Sequence, residues 1–303
     1  MEGLTDVVDQ PDGGLGPRGL IAFLRLFNAK ASFSRQLRRP SRKPFSMHGR
    51  GRAPGFRLTR ETVEGFDVVS VEPKGAWSRS VVFYHGGAYV LGPSLLHRLA
   101  IESLVAQGLA LSLVDYPKAP EHNCDSTLRV ARRAYEEIAR ANPDVELALL
   151  GDSAGGGLAL ATLQALRDKA FAPLPRATAL LSPWVDLSMS NPAIAEFEGR
   201  DPLLSLEGLR LAAELYAAGR ELSDPNLSPL YGNLSQLGEI ALYFGTEELL
   251  NPDCALLARR LAESPGTRPA VHIGEGMIHD WPLIPLAAGK KALREIGEFL
   301  ASK

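Results

Sequence analysis

From Phe66 onward, short apolar runs alternate with stretches whose apolar residues recur every three or four positions. Ser80 to Tyr84, Ala110 to Val114, Leu147 to Leu150, Thr178 to Leu181, Ile240 to Phe244 and Ala270 to Ile273 predict strands. Leu95 to Gln107, Thr127 to Ala141 and Gly155 to Asp168 predict amphipathic helices between them. Parallel strands need crossover connections, and crossovers place helices on both faces of a sheet, so the pattern predicts an α/β fold with a mostly parallel central sheet. The alternation lapses between Asp186 and Leu237, where Leu206 to Ala218 has helical spacing among segments rich in Pro, Ser and Asn. The first 55 residues also stand apart, being rich in Arg, Gly and Pro. The expected organisation is an N-terminal cap segment (1–55), a first part of the core (56–190), a second cap segment (191–235) and a second part of the core (236–303). The two cap segments are expected to meet as a lid beyond the carboxyl ends of the strands, where open parallel sheets bind ligands.

Charge and cysteine content narrow the functions. A formal net charge of -2 exerts no general pull toward nucleic acid, yet twelve of the 33 Lys and Arg, and none of the 35 Asp and Glu, fall between Arg18 and Arg60. That run predicts a solvated cap helix and linker, or a surface in which Arg35 to Lys43 meets anionic lipid while Leu20 to Phe27 dips into the interface. Binding of single-stranded nucleic acid needs aromatic platforms, and only Phe33 and Phe45 are nearby. Cys124 and Cys254 offer neither a disulfide framework nor C-x-x-C metal spacing, which fits a reducing cytoplasm. No apolar run approaches the roughly 20 residues needed to span a bilayer. The stretch Gly19 to Phe27 is short, broken by Arg25 and preceded by acidic residues, unlike a secretory signal.

The strand ending at Leu150 runs into Gly151-Asp-Ser-Ala-Gly155 and then a small-residue helix. A serine on such a turn has strained backbone angles, and glycines on either side remove side chains that would strike neighbouring backbone. Ser153 is thereby offered as a nucleophile at a helix N-terminus, where free N–H groups favour developing negative charge. Attack on an ester carbonyl leaves an oxyanion that needs preorganised donors, each contributing about 3 to 4 kcal/mol. His85-Gly-Gly-Ala88, directly after a predicted strand, suits that role, with the N–H groups of Gly86 and Gly87 as two donors and that of Ala154 as a third. His85 itself is read as a structural residue of that loop.

Four separated motifs, Tyr84-His-Gly-Gly-Ala88, Asp115-Tyr-Pro-Lys-Ala-Pro-Glu-His122, Gly151-Asp-Ser-Ala-Gly155 and Gly276-Met-Ile-His-Asp-Trp281, resemble those of the hormone-sensitive-lipase family of α/β hydrolases, in its order and approximate spacing. The resemblance covers most of the chain after about Phe66. It implies an α/β-hydrolase fold with a two-part helical cap, a Ser, acid, His triad, no cofactor, and hydrolysis of short to medium acyl esters. Chain order in this fold leaves His272 and His279 as bases out of His48, His85, His97, His122, His272 and His279. His272 alternates within an apolar strand; His279 follows a glycine-containing loop and matches the family's histidine. For the acid, Glu248 occupies the position three residues after Gly245 where the family usually carries Asp, with Asp253 as the competing candidate, read as a helix cap, and Glu247 as a solvated side chain.

Asp152 is expected to make a structural hydrogen bond, and Tyr116 and Glu121 to support the catalytic loops, although Asn123 and Cys124 replace the residues usual after that motif. Trp184, Leu203, Tyr216 and Trp281 are candidates for an acyl pocket. The leading function is a serine carboxylesterase for a small acyl ester. An amidase or arylformamidase uses the same machinery, and a non-catalytic receptor of this fold is opposed by the presence of His279.

Overall fold

The structure is a computed structural model that describes residues 5–7, 16–41, 45–47, 55–75, 77 and 79–302. His48, Arg42 and Lys43 lie outside the described residues. In chain order the elements are β1 (Thr5–Val7), α1 (Pro17–Leu26), α2 (Ala29–Arg38), β2 (Phe56–Val63), β3 (Phe66–Pro73), β4 (Arg79–Tyr84), α3 (Leu95–Val105), β5 (Ala110–Val114), α4 (Cys124–Ala141) and β6 (Glu146–Asp152). Then follow α5 (Ser153–Asp168), β7 (Ala177–Leu181), α6 (Ile194–Phe197), α7 (Leu206–Ala217), β8 (Gly238–Gly245), α8 (Asn251–Ala262), β9 (Thr267–Gly274) and α9 (Ala287–Ala301). The described strands form one sheet in the order β1-β9-β8-β7-β6-β4-β5-β3-β2.

All six expected strands are present and pair parallel to one another from β5 to β9. Their side chains alternate between two apolar layers. Leu149 of β6 faces the layer of α4, α5 and α8, whereas Leu150 faces that of α3 and α9. Because both faces are covered, these strands read as continuous apolar runs in sequence. The antiparallel hairpin of β2 and β3 was not among the expected strands. β2 lies at the sheet edge with six consecutive exposed residues, so burial leaves no period-two signature on it.

Segments 16–41 and 191–235 meet above the sheet. Ser34 Oγ of α2 lies 2.9 Å from Ser205 Oγ, and Ser205 also caps α7 by accepting from the Gly208 N–H at 3.0 Å. Lys30 pairs with Glu198 and Arg38 with Glu207, so part of the basic run is matched by acids of the second segment. Arg25 donates to the carbonyls of Gly199 and Arg200. Among the described residues, no helix is long and apolar enough to cross a membrane.

Strand register places the loops that matter. Tyr84 at the end of β4 is opposite Gly151 of β6, Asp152 is opposite Leu181 of β7, and Gly245 of β8 is opposite Gly274 of β9. Four loops therefore leave the sheet side by side. α5 is seated against this rim by backbone contact: a Cβ on Gly155 would lie 2.0 Å from the Tyr84 carbonyl oxygen, and one on Gly151 would lie 2.2 Å from that of Gly155. Gly155→Ala should destabilise the protein by about 3 kcal/mol in urea unfolding, because backbone must move to admit the methyl group. Unchanged stability would mean that this packing tolerates displacement.

Candidate active site

Ser153 stands where β6 ends and α5 begins, with a left-handed φ of 51°. That conformation is uncommon for a residue with a Cβ and turns the hydroxyl out of the helix start. The Ser153 Oγ lies 2.9 Å from His279 Nε2. His279 comes from the loop after β9, and Glu248 from the loop after β8. Glu248 Oε2 is 3.9 Å from His279 Nδ1, beyond a formed hydrogen bond but within range for charge attraction. The three residues expected to act together are thus brought together, all buried.

Glu248 is held from behind. Its Oε2 accepts from the Ser182 hydroxyl at 2.6 Å and from the Gly245 N–H at 3.2 Å, while Oε1 has no hydrogen-bond partner among the described residues. Ser182 has a left-handed φ of 39°, and its Oγ also accepts from the Asp280 N–H at 3.1 Å. One hydroxyl therefore spans the acid loop and the histidine loop. Asp201, from the second cap segment, is a further tie: it accepts from the N–H groups of Leu203, Leu204 and Leu249 at 2.7, 2.8 and 2.7 Å. Neither Ser182 nor Asp201 was anticipated. Ser182 directly follows a predicted strand that neighbours the nucleophile's strand, which was the available signal. Asp253 does not cap α8 through its side chain; it lies inside the first turn, buried, and accepts from Asn191 Nδ2 at 2.9 Å. Glu247 pairs with Arg200, and His272 stacks on Tyr243 with ring centres 4.2 Å apart.

The His85–Ala88 loop sits beside Ser153. His85 is buried, stacked on Tyr116 at 4.3 Å, and its carbonyl accepts from the Tyr116 hydroxyl at 2.6 Å, so both residues brace the loop. Asp152 faces His97, with Oδ2 3.0 Å from Nε2. His97 Nδ1 accepts the Ser94 N–H at 2.7 Å, which leaves the ring's single proton on Nε2, pointed at Asp152. The Gly86 N–H lies 3.3 Å from that same Nε2, but a protonated nitrogen has no lone pair to offer, so this donor stays available. Gly87 has a φ of 120°, open to glycine alone, and Ala154 lies in the first turn of α5, where N–H groups lack intrahelical acceptors.

Gly86, Gly87, Ser153 and His279 border a cavity of about 630 Å³. Segments 16–41 and 191–235 contribute Leu20, Leu24, Leu203 and Leu204 to its wall, together with Phe33, Gln36, Arg39 and Ser41. Of the four residues expected to line an acyl pocket, Leu203 borders this cavity. Trp184, Tyr216 and Trp281 are instead sequestered in packing. Tyr216 stacks on Tyr89 at 3.9 Å, Trp184 lies against the same ring and donates from Nε1 to the Asp186 carbonyl, and Trp281 packs on Tyr243.

A strained serine at a strand-to-helix corner, set on this sheet order with a histidine upon it, defines an α/β hydrolase. The family model for the α/β-hydrolase fold matches residues 81–283, and the chain belongs to that family. Within it, the chain falls in the hormone-sensitive-lipase group. It is 35% identical to an acetyl-hydrolase of Streptomyces hygroscopicus over 76% of this chain and 78% of the relative. It is 27% identical to an esterase of Acinetobacter venetianus over 77% and 78%. A crystal structure of a hormone-sensitive-lipase homologue from a metagenome library superposes with a TM-score of 0.83 at 27% identity, covering 95% of this chain and 99% of that one.

Burial works to lower the pKa of His279, but the facing carboxylates of Asp280, Glu248 and Asp201 outweigh it and raise it to about 9. Imidazole NMR should show His279 titrating near that value, and Glu248→Gln should lower the midpoint by about one unit or more. A midpoint near 6.5 in both proteins would show that the carboxylates do not govern the ring.

Proposed function

We propose that this protein is a serine carboxylesterase that hydrolyses short- to medium-chain acyl esters through an acyl-enzyme on Ser153. The observation that carries the reading is the 2.9 Å approach of His279 Nε2 to the hydroxyl of a left-handed serine facing the cavity. Ser153 attacks the ester carbonyl as His279 takes its proton, and the N–H groups of Gly86, Gly87 and Ala154 receive the oxyanion. Collapse of the tetrahedral adduct expels the alcohol, protonated from Nε2, and water resolves the acyl-enzyme through the same base. Glu248 orients the imidazole and stabilises its charged form. The separation of 3.9 Å tightens as positive charge develops, as apo hydrogen bonds at such sites commonly do. Leu203 and its aliphatic neighbours receive the acyl chain, with segments 1–55 and 191–235 acting as one cap. A cytoplasmic setting is supported by Cys124 and Cys254, both buried and free.

An acetyl-to-lauroyl p-nitrophenyl ester panel, run beside aryl amides, tests the reading. Ser153→Ala and His279→Ala should each lose about a millionfold in kcat, and Glu248→Ala about ten-thousandfold. Asp253→Ala should stay near wild type. Activity surviving in Ser153→Ala would remove the central claim, and amide turnover exceeding ester turnover would replace it with an amidase. Because the base must be neutral to accept a proton, kcat/KM should rise with pH through an inflection near 9 and fall about tenfold per unit below it.

The reading includes contact of the N-terminal segment with anionic lipid. Phe23, Leu26 and Phe27 are 52%, 78% and 65% exposed at the outer end of α1, whose Leu20 and Leu24 line the cavity. Apolar side chains beside a basic run are the composition of an interfacial helix. The protein should sediment with phosphatidylglycerol vesicles at low salt and be released at high salt, and a variant with serine at positions 23, 26 and 27 should not sediment. Absence of binding at low salt would discard the contact.

A further inference from the structure

His279 is followed by a residue whose position the triad does not explain. Asp280 has a left-handed φ of 54°, which turns its side chain back toward the cavity it lines. Its Oδ2 lies 3.2 Å from His279 Nε2, the nitrogen that also meets the Ser153 hydroxyl at 2.9 Å. Its Oδ1 is buried and has no hydrogen-bond partner among the described residues. The cavity wall carries Leu203, Leu204, Leu283 and Ile284, with Gln36, Arg39 and Ser41 among its polar members. Burial and the neighbouring acids Asp152, Glu248 and Asp201 hold the Asp280 carboxyl well above the usual carboxylate range, and the charge of His279 works against that rise. In either protonation state a carboxyl oxygen left desolvated and unmatched is costly, so the group calls for a donor.

In ester cleavage by this base, Nε2 delivers its proton to the departing alcohol oxygen, which must come within about 3 Å of that nitrogen. Asp280 Oδ2 is equally close to it, so the leaving oxygen and the Asp280 carboxylate are at most about 6 Å apart. A plain alkanol would lay methylene groups against the carboxylate. An alcohol with a hydroxyl on the carbon next to the ester-bearing carbon presents a donor at that distance. The geometry points to Asp280 as the determinant of the leaving group, selecting esters of alcohols that carry a hydroxyl adjacent to the ester, that is, monoesters of a vicinal diol. The reaction stays a hydrolysis: the acyl C–O bond to the diol breaks, Nε2 supplies the proton to the leaving oxygen, and Asp280 accepts a hydrogen bond without net proton transfer. The bound hydroxyl also draws the carboxylate away from Nε2, leaving that nitrogen to the serine.

The inference rests on the proposed serine-esterase reading, and one isosteric pair tests it. Kinetics of 2-hydroxyethyl butyrate and propyl butyrate, which differ by a hydroxyl in place of a methyl group, are measured by pH-stat on the full chain and normalised to each ester's alkaline hydrolysis rate. Wild type should prefer the hydroxyethyl ester by about tenfold in kcat/KM, the worth of one buried hydrogen bond. Asp280→Gly keeps the left-handed backbone and should bring the ratio to about one, and Asp280→Asn, which retains a carbonyl acceptor, should hold an intermediate ratio. A wild-type ratio near one, or a ratio unchanged in either variant, overturns the inference. Hydrolysis of propyl butyrate that persists in Ser153→Ala overturns the underlying esterase reading instead, whatever the ratio.

Discussion

Everything at the rim of the sheet depends on how closely the start of α5 lies against the backbone around it. Gly155 leaves no room for a Cβ beneath the Tyr84 carbonyl, and Gly157 leaves none beneath that of Trp184. The Ser153 carbonyl accepts the Trp184 N–H at 2.8 Å, which ties the loop after β7 to the same corner. Small residues are needed because the contacts are backbone to backbone, and close-packed interiors transmit displacement rather than absorb it. A shift of α5 would therefore carry Ser153 away from Gly86 and Gly87, whose loop leaves the adjacent strand at the level of Gly151. The distance between candidate nucleophile and candidate oxyanion donors is a property of strand register more than of any one side chain.

The second constraint is electrostatic. Asp280, Glu248 and Asp201 all act on one buried imidazole. Burial raises the Asp201 carboxyl above the usual carboxylate range, and the N–H groups of Leu203, Leu204 and Leu249 work against that rise. Negative charge around the ring stabilises the imidazolium that proton abstraction would create. It equally stabilises an imidazolium already present in the resting protein, and only the differential part accelerates a reaction.

Much of the fold was legible because it rests on local signals. Strands buried on both faces stand out as apolar runs, and the elbow announces itself through glycines that geometry requires. The hairpin of β2 and β3 was missed because an edge strand such as β2 carries an exposed sequence with little pattern. Ser153, Glu248 and His279 were legible through spacing and resemblance, and the structure puts Ser153 Oγ 2.9 Å from His279 Nε2 and Glu248 Oε2 3.9 Å from Nδ1. Ser182, Asp201 and Asp280 were not, because a buried serine or carboxylate reads in sequence like any surface residue until the partners that surround it are known. The aromatic candidates went astray for a related reason. Trp184 and Tyr216 were expected in the pocket as large apolar side chains, but such residues are most useful where several elements converge, and Tyr89, Trp184 and Tyr216 join the loop after β4 to the cap.

Asp201 links these observations. It belongs to the cap segment, yet its two oxygens divide between the cap residues Leu203 and Leu204 and the core residue Leu249, next to Glu248. Leu203 and Leu204 form part of the cavity wall. The backbone N–H groups of that wall therefore share their acceptor with the loop that carries Glu248. Glu248, one methylene longer than the aspartate usual in the family, reaches Ser182 and Gly245 but stops 3.9 Å short of the imidazole. A small movement of the acid loop is enough to close that gap. Through its bonds to Leu203, Leu204 and Leu249, Asp201 ties two residues of the cavity wall to the loop that carries Glu248.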